Sequence, residues 1–479
     1  MSADLHFTTL LSSAQKGWLR MDGEEGVLSL ALPLEGIDPL LALPQLASQE
    51  PFRVLWDGTP GLCLSAAGQC QQLELVGTRR FELAQRFSDS TLSRVTDTRP
   101  DTPAQARPRV LLSFRFFDQI SERRRSGTSP PSVHAVLPRW QLSRQGKRGW
   151  LRLNGVVSSQ ADVRDLAEQL WLKHCSLLNT DAGPAPWSPS MLLLANSDCS
   201  TWQERYGRAL ERGIQLVNDG DLHKLVLAVR QSMTLTAPFD PLPLLLRLRR
   251  QQAGSCRFLW QRSHADAFFG ASPERLLSLR GRCLRSDALA GTAGKGDDGQ
   301  QLLRSDKDRR EHELVVATII NQLRRIGLTP WRRRQPQLAR HGNLTHLHTP
   351  ITAEMPKRSV LSVAEQLHPT PAVAGLPRRE AMAWLRALEP FERGCYAAPI
   401  GWIDSAGDAE LRVAIRCGHS HGHRLDLTAG AGLVRGSIAE RELQEVGLKL
   451  AVLADQLQLD IESALAERLP EGAQAPFQG

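Results

Sequence analysis

The sequence predicts an α+β protein in which large antiparallel sheets carry helices on their outside. Three observations point there. Apolar runs of strand length recur along the whole chain, long segments with helical spacing interrupt them after about residue 190, and Gly- and Pro-rich stretches punctuate both. With 479 residues and 41% hydrophobic composition, the chain can bury a large core, as one big domain or two to three smaller ones.

Before residue 190 the pattern is short strands and loops, as in VLSLALPL and RVLLSFRFF. Polar, Pro-rich loops are expected at 96–109, 121–132 and 180–190. A helix starts near Trp202, with Gly220 near its end, and the strand DLHKLVLAVR follows. FLWQR, DAFFGASPERLLSLRG and RCLRSDALAGTAGKG read as strands of an antiparallel meander. Helices are expected over SDKDRREHELVVATIINQLRRIGL, PRREAMAWLRALEP and SIAERELQEVGLKLAVLADQLQL, with strand-like YAAPIGWIDSAG and ELRVAIRCGHSHGHRLDLTAGAGLV between the last two. Ser437 with Glu440 has capping-box spacing. The last segment, PEGAQAPFQG, reads as a tail.

Composition excludes several classes. No apolar run reaches the 18 residues of a membrane span, and the N-terminus lacks the basic-then-apolar pattern of a secretory signal. Eight scattered cysteines without a CxxC fit a reducing cytoplasm. The formal charge of +8 comes with Arg runs in loop-like surroundings and with only two tyrosines. That composition favours a solvated basic surface that attracts a small anionic substrate over a nucleic-acid interface.

Several polar residues sit where packing alone does not want them. Lys224 shares a strand face with Val226 and Ala228. It is either a strand-end lysine that snorkels to solvent or a buried, functional amine whose charged form burial disfavours. Asp308 and Glu311 lie three apart on one helix, and Glu442 and Glu445 three apart on another, with Lys449 four beyond Glu445. Each pair has an ordinary reading in helix electrostatics. Together they offer the oxygen-rich ligands that Mg²⁺ takes alongside water and substrate oxygens. Arg416 is a cation in an apolar strand and invites a carboxylate. Glu274 opens an apolar strand, where burial would make it a general acid. ALAGTAGKG and TAGAGLV read as glycine turns able to approach an anion, or as plain tight turns. His419, His421 and His423 alternate, a cluster that suits Zn²⁺, Cu²⁺ or Ni²⁺, but the interleaved glycines and serine read first as a surface hairpin.

HKLVLAVR, FFGASPERLL, ALAGT, SDKDRREHELV, LHPTPAVAGLP, EPFERGCYAAPIGW, RVAIRC, TAGAGLVRGS and ERELQEVGLKL occur in the order found in chorismate-utilising enzymes. Over residues 200–455 the chain resembles the isochorismate synthases of the menaquinone/phylloquinone type. The resemblance implies an N-terminal part of the synthase fold (1–190), a catalytic core (191–460) and a tail (461–479). It implies Lys224 as the base that activates water and Glu274 as the acid at the leaving C4 hydroxyl. Glu311 and Glu445 become the principal Mg²⁺ ligands, with Asp308 and Glu442 acting through water. Arg416, Lys449, Tyr396 and the backbone at Gly291, Thr292, Gly430 and Gly432 would hold the substrate carboxylates, and His368 would sit near the substrate ring. Ala398 departs from the glycine that relatives commonly carry. A water-activating lysine speaks against anthranilate synthase, and no amidotransferase motif or subunit is expected. Salicylate synthases keep the lysine, so that alternative stays open. The resemblance further implies a cytoplasmic enzyme, a monomer or weak homodimer, with no nucleic-acid or membrane partner.

Overall fold

The helix Asp306–Arg325 shows how local sequence sets the elements of this protein. Ser305 caps it by accepting the Asp308 N–H at 3.2 Å, Asp306 and Asp308 occupy the first turn, and Arg324 and Arg325 the last. Its buried stripe is His312, Val315, Val316, Ile319 and Leu323, which seats it on the sheet with Asp308 and Glu311 at its N-terminal end. The helix Ala439–Leu457 is built alike, with Glu440 and Glu442 in its first turn and Val446, Leu450 and Leu453 buried. Ser437 Oγ accepts the Val434 N–H at 3.1 Å and closes the turn before this helix, in place of the expected box with Glu440.

The computed structural model describes residues 2–119, 130–179, 194–197, 199–294, 299–356 and 359–457. The loops expected at 121–132 and 180–190 fall almost wholly outside them, as does the tail, and 96–109 begins in strand Val95–Asp97 and ends at the start of strand Arg109–Phe114, with one short 3₁₀ turn at Ala104–Ala106 between them. Among the described residues, 21 strands join into one hydrogen-bonded network. Its pairings are antiparallel except Gly26–Pro33 against Val95–Asp97. The first 190 residues enter the same network: Arg53–Asp57 pairs with Cys256–Ser263, and Arg109–Phe114 with Pro399–Asp404. At this seam Asp57, fully buried, receives Arg249 Nε at 2.6 Å and an Arg257 guanidinium nitrogen at 2.8 Å.

Two expectations need correction. The first 190 residues are not only strands and loops: Ser2–Leu19, Pro39–Leu46, Arg80–Arg94 and Gln160–Leu178 are helices. The last is capped by Ser159 and buries Val163, Leu166, Ala167 and Leu170, a 3.6-residue stripe diluted by the polar residues between. Nor do the strands between 256 and 293 form a simple meander. Cys256–Ser263 pairs with Asp266–Ser272, and Arg275–Arg280 with Cys283–Ala293, as two separate hairpins. Pro273, which has no N–H for a ladder, lies at the break between them. The partner strand breaks opposite. Asp266–Ser272 pairs with Cys417–His421, Arg275–Arg280 pairs with Ala409–Val413, and Arg416 between the partners adopts φ +52°. Glu274 and Arg416 therefore both sit where two facing strands are interrupted.

Candidate active site

Strand Lys224–Leu235 carries Lys224 at its start. Helix Cys199–Asn218 covers one face so closely that a side chain at Gly213 would meet Leu227 and Leu433. Lys224 and Val226 point to the opposite face, into a cleft with about 610 Å³ of free space including its open mouth. The lysine is 1% exposed, which removes the snorkelling reading, and its Nζ donates to Glu311 Oε1 at 2.8 Å.

As far as they are described, the glycine runs are not turns. Gly430 and Gly432 lie inside strand Arg424–Leu433, opposite Ala228 and Val226. A Cβ at Gly432 would stand 2.7 Å from Glu311 Oε1 and 3.2 Å from Lys224 Cε, and one at Gly430 would crowd the Leu227 carbonyl and the Tyr396 hydroxyl. These glycines hollow a trough in the sheet face for the polar groups. Gly291 (φ +71°) and Thr292 form a bulge in strand Cys283–Ala293, with Gly291 against Asp308.

Glu311 and Glu445 reach the cleft from different helices. Glu445 accepts Lys449 Nζ at 2.6 Å and Thr292 Oγ1 at 3.3 Å, and Lys449 Nζ also donates to the Gly430 carbonyl at 2.8 Å. Burial works against the Glu445 charge, yet the Lys449 ammonium holds its carboxyl below the usual range. Asp308 and Glu442 do not line the cleft but stand behind it. Glu442 accepts Lys307 Nζ at 2.6 Å through one oxygen, while its other, Oε2, is buried without a hydrogen-bond partner among the described residues. Burial pushes both carboxyls up, and the nearby charge of Glu445 adds to each. Four carboxylates with an orphaned oxygen, drawn from two helices, form a hard donor set that fits a divalent cation of the Mg²⁺ type.

Glu274 is fully buried, and burial raises its carboxyl to about 7 against the opposing pull of Lys224, Thr370 and Arg416. Its Oε1 accepts Thr370 Oγ1 at 3.4 Å. Arg416 is also buried and makes no carboxylate ion pair among the described residues. Burial lowers it to about 10, so it stays a cation. Tyr396 completes the wall beside Gly430.

Two residues fall outside expectation. His368 does not line the cleft: it closes helix Val360–Leu367, meets the Phe116 carbonyl at 3.2 Å and packs against the Phe81 and Phe116 rings. The same segment lends Ala372 and Val373 to the cleft instead. Ala398, fully buried, is likewise outside the lining. His346, which sequence reasoning passed over, does line it. Its Nδ1 meets the Gly291 carbonyl at 2.8 Å, which leaves Nε2 to accept Arg416 at 3.3 Å. The alternation in LTHLHTPI was the available signal, hidden because His348 shows the same pattern yet pairs with Asp287.

A buried ion pair braces the cleft from behind. Arg393, fully buried, pairs with Glu389 and donates to the carbonyls of Val373 and Val226 at 2.6 Å each. Glu389 in turn accepts the Ala228 N–H at 2.8 Å. One pair thus ties the Lys224 strand to the opposite wall.

A buried lysine, a carboxyl that holds its proton near neutrality, carboxylates for a hard cation and an unpaired arginine together define an enzyme site for a small polyanionic acid. The family model for chorismate-binding enzymes matches residues 11–458, and the chain belongs to that family. It is 32% identical over 441 residues, 90% of each chain, to a protein of Pseudomonas aeruginosa named salicylate biosynthesis isochorismate synthase. It is 35% identical to the isochorismate synthase MenF of Bacillus subtilis, covering 73% of this chain and 74% of that one. The solved menaquinone-specific isochorismate synthase of Escherichia coli superposes with a TM-score of 0.74 at 27% identity, covering 94% of this chain and 99% of that one.

Proposed function

We propose that this enzyme interconverts chorismate and isochorismate, adding water at C2 and releasing the C4 hydroxyl, with Mg²⁺ as its cofactor. The observation that carries the reading is that buried Lys224 and buried Glu274 line one cleft with the carboxylates of Glu311 and Glu445. Arg416 and Lys449 receive substrate carboxylates, assisted by Tyr396 and the backbone at Gly291, Thr292, Gly430 and Gly432. Glu311 and Glu445 would hold the ion, and Asp308 and Glu442 would support it through water. The bound cation supplies charge neutralisation to a substrate carboxylate. Lys224 takes a proton from water as its oxygen bonds to C2. The ring double bond shifts, the C4–O bond breaks, and Glu274 delivers its proton to the departing oxygen, which leaves as water. The proton that Lys224 gains balances the one that Glu274 gives, and both residues reset by exchange with solvent.

An aminating reaction gives no use to a base poised for water, so Lys224 favours hydration. The basic surface collects a small dianion. Whether the enzyme acts as a monomer or weak homodimer, in the cytoplasm and without an amidotransferase, belongs to the same proposal. Among the described residues no helix is long and apolar enough to cross a membrane. Purified protein incubated with chorismate and Mg²⁺ tests the reading. Isochorismate as the main product supports it. An amino product, or salicylate with pyruvate, overturns it.

A further inference from the structure

The histidine run in CGHSHGHR forms a hairpin, as its glycines indicate, with Gly422 in the turn at φ +56°. What the sequence hides is the strand beside it. His419 and His421 lie two apart on strand Cys417–His421 and project on one side, while Ser420 between them is buried. On that side Asp266 stands directly opposite His421 across an antiparallel pair. Asp266 Oδ1 lies 2.7 Å from His419 Nε2 and 3.7 Å from His421 Nδ1, and the two imidazole centres are 3.9 Å apart. One ligand atom from each of the three residues falls within 4.8 Å of the others. Phe268 meets the His419 ring edge-on at 5.9 Å and backs it.

We infer that Asp266, His419 and His421 form a second metal site, for a divalent transition ion such as Zn²⁺, Co²⁺ or Ni²⁺. The donors are two imidazole nitrogens and one carboxylate, a set these ions prefer and Mg²⁺ does not. The site is thereby chemically separate from the all-oxygen carboxylates of the cleft. His421 is the most exposed member, with 51% of its side chain accessible, so a small rotation brings its nitrogen onto an ion held by the other two and leaves positions open to water. The neighbouring cations are engaged elsewhere, Arg424 by Asp426 at 2.8 Å and Arg262 by Glu74 at 2.7 Å. With three ligands on two rigid strands, the geometry is fixed by the sheet and not by a loop.

The test uses tag-free full-length protein in excess Mg²⁺, titrated with Co²⁺ and followed by visible absorption. The expected result is one equivalent bound with weak ligand-field bands and no thiolate charge-transfer band. His419→Ala/His421→Ala should lose that equivalent, and Asp266→Asn should weaken it by at least about tenfold. Mg²⁺-supported turnover should match wild type in every variant, so failure of this site and failure of the proposed reaction are told apart. Unchanged Co²⁺ binding in the double variant, a thiolate band, or no binding by wild type would each overturn the inference. The variants replace part-exposed side chains, and an unchanged circular dichroism spectrum confirms their fold.

Discussion

Lys224 Nζ and Glu311 Oε1 stand 2.8 Å apart, with the lysine buried and the glutamate nearly so. The residue assigned as base thus touches the residue assigned as a metal ligand. Lys449 with Glu445 and Lys307 with Glu442 repeat the arrangement. Each of these three glutamates has a lysine as its counter-ion, and a dication entering between Glu311 and Glu445 competes with those lysines for the same oxygens. The proposed base and the proposed metal ligands are therefore one electrostatic unit.

Lys224→Ala is expected to lower turnover by the roughly hundred- to ten-thousand-fold typical of general acid–base groups. Glu311 keeps its carboxylate, so Mg²⁺ binding, measured calorimetrically, should persist. Near wild-type turnover would remove Lys224 from the reaction.

Glu311→Gln and Glu445→Gln each keep size and remove one charge. Both should raise the Mg²⁺ concentration needed for half-maximal rate and weaken chorismate binding, since one ion serves both. Full activity of wild type after exhaustive chelation would contradict the cation assignment. His419→Ala is the control and should leave the Mg²⁺ requirement where it was.

Glu274 carries a pH signature. Its carboxyl sits at about 7 in the fold against an ordinary 4.5. A general acid must hold its proton, so turnover should fall as pH rises through about 7, and Glu274→Gln should abolish turnover. Stability follows the same proton. Between pH 4.5 and 7 the folded protein binds it and the unfolded chain does not, so the contribution present below 4.5 is lost as pH rises through 7. Glu274→Gln is free of that loss. Its unfolding free energy from denaturant titration should gain on wild type from pH 5 to pH 8, by at most ~3 kcal/mol. A constant gap would contradict the raised value.

Arg393→Met should be severely destabilising, by roughly 3–5 kcal/mol, because the buried Glu389 carboxylate loses the guanidinium that it pairs with. Arg393→Lys keeps the charge but cannot span Glu389, Val226 and Val373 together. It should fold, bind Mg²⁺ normally and lose turnover, because the strand that positions Lys224 loosens against Val373. Wild-type kcat in Arg393→Lys would leave the pair a purely structural role.

The sequence made the site more legible than the fold around it. Lys224, Glu274 and Arg416 stood out because each breaks an apolar pattern, and breaking a pattern is visible without a structure. The carboxylate pairs were visible because helical spacing fixes their face. What remained hidden depends on pairing between distant strands. The glycine runs read as turns, since nothing local says that Gly432 makes room for Glu311. The resemblance puts His368 near the substrate ring, yet its partner is a carbonyl 252 residues away. Asp266 had no mark at all until the strand of His419 was laid beside it. Ser159 and the stripe it opens were overlooked because the strand runs around them are stronger.

Water as the nucleophile is the central claim, and labelled water tests it most directly. Incubated with chorismate and Mg²⁺ in ¹⁸O-water, with excess ammonium present, the enzyme should place ¹⁸O on C2 of isochorismate and reach a mixture with chorismate. No amino product should form, and salicylate and pyruvate should not accumulate as main products. Isochorismate without label at C2, or anthranilate or aminodeoxychorismate in its place, would contradict the role of Lys224 and the reaction built on it.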